Sequence, residues 1–481
     1  MTNKAFHFNM DIPDPDVIFH DGFYYLITTT MHFFPGGEIL RSADLKCWEH
    51  YSYVFEKLES TPSQTLEDGY IYGKGMWAPV LRFHDGIFYV AFSSNDMNKT
   101  YLYRSEDLKG PWKRSVIKGF YHDLSMLFDD GKVYLVYGNT DIHLTELNDD
   151  LTGPAEGGID RVIVDDSGNP RLGLEGSHIY KIDGKYYLFM IHSLRDRWRR
   201  VEAMYVADSL EGEFVGGDIF DNDLGIRDSG IAQGGIVKGP MGDHLIMFQD
   251  SGAVGRLPVV VPFEWQDGKP VFDDDITVEE AELKGVCGCD DFENGHEDFW
   301  QFNHEPDMRL VKFDNGFHVT TDKVCRNLFF AKNTLTQKTL GPVCEAVVTV
   351  DGSALNDGDL AGLSAFQGDY AFVGITKEPE GFAAVMLSNT SKGGIWDLTE
   401  EEGDVEEVVK IEGSSLTVKV ACDFTKDQAT CFIKCADGFR QIGTPHDLRF
   451  RLDHFTGARF GLSCFSTVRT GGTAVFKNFR I

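Results

Sequence analysis

Residues 14–26 read Asp14-Pro-Asp-Val-Ile-Phe-His-Asp-Gly22-Phe-Tyr-Tyr-Leu26: an apolar run, a tight turn ending in glycine, and a second apolar run rich in tyrosine. The same pattern recurs four more times before residue 250, with its turn glycines at Gly86, Gly131, Gly184 and Gly242. Asp-Gly between two β-prone runs is a strong hairpin signal. Because a single hairpin cannot bury its faces alone, this repeat predicts the blades of a five-bladed β-propeller.

The repeat also predicts how the chain is divided. Five four-stranded sheets account for residues 10 to about 265, and the propeller is expected to span 1–275. The acidic, weakly apolar stretch that follows predicts a linker over 276–289. From residue 290 the hairpin repeat is gone, and short alternating strands separated by turns predict a β-sandwich over 290–481. The fold class is therefore all-β.

Composition limits the partners and the compartment. The formal net charge of -31 argues against binding to nucleic acid or to an anionic membrane surface. Neither an apolar leader nor a long apolar span is present in the sequence, which predicts a cytoplasmic protein. Cys47 is the only one of nine cysteines in the first 286 residues, so we expect free thiols in a reducing compartment.

Acidic residues recur at one level of the predicted blades. Asp14 and Asp123 stand eight residues before their turn glycines, and Glu175 and Gln233 stand nine before theirs. The first strand of each propeller blade lines the central axis, so these positions converge although 161 residues separate Asp14 from Glu175. The sequence predicts that three carboxylates from three blades share one axial pocket.

Hydrolysis of a glycosidic bond needs at least two carboxyl groups that face the same cleft. One is protonated and gives its proton to the leaving oxygen, and the other is ionised and activates water or attacks the sugar. A single Asp or Glu at a strand end is more often solvated or caps a turn. Asp16 also competes with Asp14, because it faces the same side of the strand. Burying an unpaired carboxylate costs free energy, so three carboxylates at equivalent positions of buried strands nevertheless favour a functional site.

The repeated segments resemble glycoside hydrolase family 43, whose five-bladed propellers act on xylose and arabinose linkages. The resemblance is carried by four segments: 12–18, 75–79, 122–135 and 174–188. It implies that Asp14 is the general base, that Asp123 orients and modulates the pKa of the acid, and that Glu175 is the general acid. It also implies that Trp77, in Gly75-Met-Trp-Ala-Pro79, lines the sugar site.

The resemblance extends beyond these motifs. The segment 252–258 is similar to the element whose arginine binds substrate, which implies that role for Arg256. Residues 290–481 resemble the concanavalin-like jelly roll of the β-xylosidase branch, where a loop aromatic closes the active site. Phe455 is the candidate for that aromatic, and a place in the sandwich core is the alternative. His32 is a candidate to reach the sugar, although a lone histidine is more often structural.

The fifth blade departs from the family pattern. Many members carry a histidine there, near the axis and close to a central metal, where this chain has Gln233. Glutamine can hydrogen-bond to substrate but is a weaker metal ligand. We therefore predict no required cofactor and regard a structural calcium as the less favoured alternative.

The leading hypothesis is an exo-acting, inverting hydrolase that releases xylose from β-1,4-xylo-oligosaccharides and also α-L-arabinofuranose. A dedicated α-L-arabinofuranosidase is the nearest alternative. A non-catalytic carbohydrate-binding protein is a further alternative, and the presence of all three carboxylates argues against it. A propeller scaffold for protein interactions is the last, and it predicts that changing Glu175 affects no activity. The expected partner is a xylo-oligosaccharide or arabinoxylo-oligosaccharide, and the sequence leaves open whether the chain forms a homo-oligomer.

Overall fold

The computed structural model describes residues 4–394 and 398–481. Over these residues the chain consists of β-strands, connecting loops and three short 3-10 helices, at Gly252–Val254, Met308–Leu310 and Leu328–Phe330. No helix in the described ranges has the length and apolar character needed to cross a lipid bilayer.

The strands of the first part of the chain are β1 (Lys4–His7), β2 (Asp16–His20), β3 (Phe23–Ile27), β4 (Phe33–Phe34), β5 (Gly36–Ser42), β6 (Cys47–Phe55), β7 (Met76–His84), β8 (Ile87–Ser94), β9 (Lys99–Ser105), β10 (Lys113–Ile117), β11 (Ser125–Asp129), β12 (Lys132–Tyr137), β13 (Asp141–Leu147), β14 (Asp160–Asp165), β15 (Glu175–Ile182), β16 (Lys185–Ser193), β17 (Arg200–Ala207), β18 (Val215–Phe220), β19 (Ile231–Gly239), β20 (Gly242–Asp250), β21 (Arg256–Pro262), β22 (Glu264–Gln266), β23 (Lys269–Val271), β24 (Thr277–Glu280) and β25 (Glu282–Lys284).

The strands of the second part are β26 (Gln301–Asn303), β27 (Val311–Phe313), β28 (Phe317–Thr320), β29 (Leu335–Lys338), β30 (Val343–Ala354), β31 (Asp359–Phe366), β32 (Ala371–Glu378), β33 (Gly381–Ser388), β34 (Asp404–Ile411), β35 (Ser415–Asp423), β36 (Gln428–Cys435), β37 (Gly438–Gln441), β38 (His446–Asp447), β39 (Arg459–Ser466) and β40 (Thr473–Arg480).

The first part forms a propeller of five blades, which confirms the predicted fold class. The sheets are β2-β3-β5-β6, β7-β8-β9-β10, β11-β12-β13-β14, β15-β16-β17-β18 and β19-β20-β21-β1. The fourth strand of the fifth blade comes from the start of the chain, since β1 pairs antiparallel with β21. The ring is thus closed by hydrogen bonds between the two ends of the propeller.

The segment predicted as a linker, 276–289, contains two paired strands. β24 adds in parallel to β1, and β25 adds in parallel to β6. These pairings extend the outer edges of the fifth and first blades, so the connection between the domains runs along the propeller surface.

The second part is a sandwich of two eight-stranded sheets, β34-β33-β32-β31-β39-β29-β26-β4 and β27-β28-β40-β30-β35-β36-β37, with β38 pairing beside β36 in the second. The inner faces pack their alternating apolar residues into one core, which includes Trp300, Phe317, Val348, Phe460 and Phe476. The edge strand β4 lies in the chain between β3 and β5 of the first blade but pairs with β26 of the sandwich. The two domains therefore share a sheet, and the sandwich is held against one side of the propeller axis.

Candidate active site

Every blade has a residue with positive φ close to the start of its inner strand, either just before the strand or within its first three residues. These residues are Asp14 (50°), Ala78 (32°), Asp123 (47°), Gly176 (64°) and Gln233 (60°). Residues other than glycine rarely adopt this backbone conformation, and backbone strain of this kind is concentrated at functional sites. Glu175 lies one residue before this level. A β-bulge between Glu175 and His178 shifts the register of the fourth blade, so Glu175 projects from a position that is not equivalent to Asp14.

These strand ends surround a cavity of about 350 Å³ at one end of the axis. It is lined by Asp14, Met31, Trp77, Ala78, His122, Asp123, Asn139, Leu172, Glu175, Trp198, Arg200, Gln233, Arg256, Leu452 and Phe455. A larger cavity, of about 470 Å³, opens at the opposite end of the inner strands, and no acidic side chain is among its described lining residues. Of these two cavities at the ends of the axis, only the first is lined by carboxyl groups.

Asp14 is buried at the base of the cavity and makes two strong side-chain contacts. Its Oδ1 accepts a hydrogen bond from Arg256 Nη1 at 2.8 Å, and its Oδ2 accepts one from Thr29 Oγ1 at 2.7 Å. Thr29 Oγ1 in turn accepts from the backbone N–H of Ala78 in the second blade. The carboxylate is thereby oriented by residues of three blades.

Asp123 and Glu175 meet at the ring of His122. His122 Nε2 lies 3.3 Å from Glu175 Oε2 and 3.6 Å from Asp123 Oδ2, and Asn139 Nδ2 also donates to Glu175 Oε2. Burial raises the pKa of Asp123 to about 7; the charge of His122 opposes this rise, and the charges of Glu175 and Asp14 add to it. Burial by itself lowers the pKa of His122, but the charges and hydrogen bonding of the two carboxylates raise it to about 9.

The walls of the cavity combine aromatic rings with nitrogen donors that have no partner among the described residues. Phe455, from the sandwich, lies 5.7 Å from Trp77 between ring centroids and 4.5 Å from the Arg256 guanidinium carbon. Among the described residues, neither Arg256 Nε nor Trp77 Nε1 has a hydrogen-bond partner, although both are buried. Both side chains line the cavity, while these two nitrogen atoms are themselves covered from solvent. Phe455 is part of the cavity wall, not of the sandwich core.

The structure places His32 outside the cavity, and we correct its assignment. Its ring is fully buried between the domains, 4.8 Å from the ring of Tyr72 and 5.0 Å from that of His454. Its backbone carbonyl accepts a hydrogen bond from the N–H of His304. His32 therefore packs in the interface between the two domains, which is the structural role that the sequence analysis gave as the alternative.

Asp16 is also separated from the reaction site. It is fully buried, its Oδ2 accepts from Arg82 Nη1 at 2.7 Å and from Leu81 N at 2.6 Å, and its Oδ1 lies 3.2 Å from His178 Nδ1. Asp16 lies on the inner strand outside the cavity lining, whereas Asp14 is part of that lining.

Two family models together cover almost the whole chain. The model described as glycosyl hydrolases family 43 matches residues 8–270, and the model described as the beta xylosidase C-terminal concanavalin A-like domain matches residues 289–481. The chain belongs to glycosyl hydrolases family 43. The second match confirms the predicted concanavalin-like character of the sandwich.

Two named relatives are similar in sequence to this chain. A beta-xylosidase of Formosa agariphila is 25% identical over 443 residues, which cover 78% of this chain and 74% of the relative. A non-reducing end alpha-L-arabinofuranosidase of Bacteroides ovatus is 31% identical over 181 residues, covering 37% of this chain and 33% of the relative. The chain thus spans most of the first relative, and its match to the second is partial.

Solved structures of family 43 share both domains with this chain. A bifunctional GH43-CE protein of Bacteroides eggerthii is 34% identical with a TM-score of 0.90; the match covers 99% of this chain but 63% of that one. A GH43 glycoside hydrolase with an engineered active site, displaying both endo-xylanase and exo-arabinofuranosidase activity, is 25% identical with a TM-score of 0.87, and the match covers 99% of both chains.

Four polar or aromatic residues of this family 43 site were not among the sequence predictions: His122, Asn139, Trp198 and Arg200. His122 directly precedes Asp123, so adjacency alone could have identified it. Asn139 and Trp198 lie in the connections after the second strands of their blades, and Arg200 begins the third strand of the fourth blade. The approach of these residues to the axis has no local sequence signal. Trp198 is 52% exposed at the cavity mouth, and Arg200, which is buried, lies below it with its guanidinium carbon 5.8 Å from the indole.

His122, Asp123 and Glu175 are, within the described ranges, the one group of His, Cys, Asp and Glu donors that lie within 4.8 Å of one another. Calcium takes oxygen ligands, whereas one of the three donors in this group is an imidazole nitrogen. The group therefore does not suit a calcium ion, and Gln233 adds only an amide to the same cavity.

Replacing His122 with Gln is expected to lower the free energy of unfolding by about 2 kcal/mol at pH 6 and by much less at pH 10. The pKa of His122 rises from 6.5 to about 9 on folding. The stabilisation is therefore complete below pH 6.5 and is lost as the pH rises through 9. Urea unfolding of the wild type and the H122Q variant at pH 6, 8 and 10 checks this, and a difference that grows towards pH 10 would contradict it.

Proposed function

We propose that this family 43 glycoside hydrolase removes xylose from the non-reducing end of β-1,4-xylo-oligosaccharides with inversion, and also accepts terminal α-L-arabinofuranose. The observation that carries the proposal is the meeting of Asp14, Asp123 and Glu175 in one cavity whose side is closed by Phe455 of the sandwich. Ligand pockets range from roughly 300 to 1,000 Å³, so this cavity is small and suits a terminal sugar. A polymer threaded through the site would need an open cleft.

The residues divide the reaction between two faces of the sugar. The sugar lies against Trp77 and Phe455 with its hydroxyls near Arg256. Glu175, towards the mouth, gives its proton to the glycosidic oxygen as the bond to the anomeric carbon breaks. Asp14 takes a proton from a water molecule whose oxygen forms the new bond to that carbon. After the products leave, solvent carries the proton from Asp14 back to Glu175.

The leaving group departs through the mouth of the cavity. Trp198 and Leu172 line this side, and the exposed face of Trp198 offers a flat surface to a second sugar or another aglycone. The relatives named as beta-xylosidase and as alpha-L-arabinofuranosidase support the two candidate sugars.

The test is a comparison of kcat/KM on xylobiose, 4-nitrophenyl β-D-xylopyranoside and 4-nitrophenyl α-L-arabinofuranoside, with the products of xylotriose resolved over time. We expect xylose and xylobiose as the first products of xylotriose and a higher kcat/KM for the xyloside. A higher kcat/KM for the arabinofuranoside would instead favour the dedicated arabinofuranosidase. Cleavage of longer xylo-oligosaccharides at internal bonds would overturn the exo assignment.

We also propose that catalysis needs no metal. Arg82 crosses the axis below the cavity: it pairs with Asp16, donates to Ser125 Oγ and the Met126 carbonyl at 3.0 Å each, and lies 5.4 Å from the ring centroid of Tyr180. A cation of the chain thus contacts blades one, three and four, and a second cation placed there would be repelled.

Dialysis against EDTA is therefore expected to leave kcat and KM unchanged, as measured on 4-nitrophenyl β-D-xylopyranoside before and after chelation. Addition of calcium to the dialysed enzyme should have no effect. An activity that is lost on dialysis and restored by calcium would contradict this prediction.

A cytoplasmic location remains part of the proposal. All nine cysteines are free thiols. Cys344 and Cys422 stand directly opposite each other on paired strands without a disulfide between them. Free thiols of this kind suit a reducing compartment.

A further inference from the structure

Asp11 is a buried carboxylate that binds the backbone of both domains. Its Oδ1 accepts a hydrogen bond from Arg256 N at 2.7 Å, and its Oδ2 accepts one from Gly457 N at 2.8 Å. Asp11 stands three residues before Asp14 in the chain. Arg256 begins the third strand of the fifth blade, and Gly457 follows Phe455 by two residues in the sandwich. Asp11 therefore joins three segments that each supply a residue to the cavity: its own segment, which carries Asp14, and the two segments that its side chain contacts.

These contacts continue, through the side chain of Arg256, to Asp14 and Phe455 in the cavity. Arg256 Nη1 donates to Asp14 Oδ1 at 2.8 Å, and Arg256 Nη2 donates to the carbonyl of Phe455 at 3.4 Å. A shift of Asp11 would move the arginine that orients the base and the aromatic wall of the sugar site together. Since the sugar must be held within ångströms of its reactive geometry, such a shift acts on the chemistry.

The approach to Asp11 is too tight for a side chain on either loop. A Cβ on Gly255 would lie 2.3 Å from Asp11 Oδ1, and a Cβ on Gly457 would lie 2.2 Å from the carbonyl oxygen of Val254. Burial raises the pKa of Asp11, while the charge of Arg256 and the two backbone N–H groups oppose that rise. A buried carboxylate of this kind is costly unless both oxygens are satisfied, and here both are.

We propose that Asp11 is a positioning residue that couples the sandwich loop carrying Phe455 to Arg256 and the base Asp14. The proposal rests on the proposed function of the cavity, because it assigns Asp11 a role in the same reaction. Asp11 itself lies behind these residues and is not part of the cavity lining.

Asp427 supplies a matched control. It is a sandwich carboxylate whose Oδ1 accepts a hydrogen bond from Ala253 N at 3.0 Å, in the same propeller loop that leads to Arg256. Its other close partner is Arg227, at 3.8 Å, on the outer side of the interface. Asp427 thus ties the same two domains together without contacting Arg256, Asp14 or the Phe455 loop.

The experiment compares three variants with the wild type: Asp11→Asn, Gly457→Ala and Asp427→Asn. An amide has one acceptor oxygen, so Asp11→Asn must give up one of the two backbone contacts, and Gly457→Ala breaks the same contact from the sandwich side. We expect each of these two variants to lose about 100-fold in kcat/KM, with both a lower kcat and a higher KM. Asp427→Asn should keep wild-type constants. Melting temperatures are measured in parallel, and kinetics are taken well below them.

A purely structural role for Asp11 would lower the melting temperature and leave kcat and KM of the folded enzyme at wild-type values, which would overturn the proposal. Equal losses in Asp427→Asn would also overturn it, because any interdomain contact would then suffice. If Asp11→Asn does not fold, Gly457→Ala decides the question. A wild type that cleaves neither nitrophenyl glycoside would refute the proposed function. If the wild type cleaves one of them, the proposed function stands, and unchanged kinetic constants in the variants would then refute the Asp11 assignment alone.

Discussion

Glu175→Ala is expected to lower kcat/KM on xylobiose by roughly 10³-fold, and to have a much smaller effect on β-D-xylopyranosyl fluoride. The second xylose of xylobiose leaves through a hydroxyl oxygen, which is a poor leaving group and must be protonated as the bond breaks. Fluoride leaves with little protonation. Glu175 projects into the cavity beside His122 and Asn139, on the side where the leaving group departs. The kinetic constants of wild type and variant on the two substrates measure the effect.

A control for this prediction is Asn139→Ala, which removes a hydrogen bond to Glu175 but leaves the carboxyl in place. It should show the same leaving-group dependence in weaker form. Equal losses on xylobiose and on the fluoride in Glu175→Ala would remove Glu175 from the acid role.

Asp14→Ala should abolish hydrolysis of both substrates, with losses of about 10⁴-fold or more, because no other carboxylate can activate water on that face of the sugar. Asp14 lies at the base of the cavity, where Arg256 and Thr29 hold both of its oxygens. The quality of the leaving group does not compensate for a missing base. Steady-state rates on xylobiose and on the fluoride, with melting temperatures recorded for each protein, give the result.

Asp16→Ala is the companion variant, and it should behave in the opposite way. It leaves Arg82 without its buried partner, so we expect a loss of stability of about 3–5 kcal/mol while the folded protein keeps its activity. A variant at Asp16 that is stable but inactive, together with an active Asp14→Ala, would reassign the base to Asp16.

The propeller could be predicted because its signals are local. Each hairpin carries its own turn glycine, and counting back from that glycine placed Asp14 and Asp123 at one level. Glu175 was also found, although a β-bulge and the left-handed Gly176 put it one residue away from strict equivalence. A pattern repeated along the chain is readable even when its copies meet only in three dimensions.

The features that the sequence did not predict depend on pairings between distant segments. β1 completes the fifth blade, and β4 leaves the first blade to join a sandwich sheet; both strands are short, and neither has a distinctive pattern. The contact of Arg256 with the Phe455 carbonyl joins residues 199 apart. His32 was misassigned because burial between two domains cannot be read from its neighbours in the chain.

The measurement that tests the central claim most directly is the configuration of the first sugar released, followed by proton NMR during hydrolysis of 4-nitrophenyl β-D-xylopyranoside. If Asp14 activates water while Glu175 protonates the leaving oxygen, α-xylose must appear first and then mutarotate. Initial release of β-xylose would show that a carboxylate attacks the sugar directly, and would contradict the roles assigned to Asp14 and Glu175.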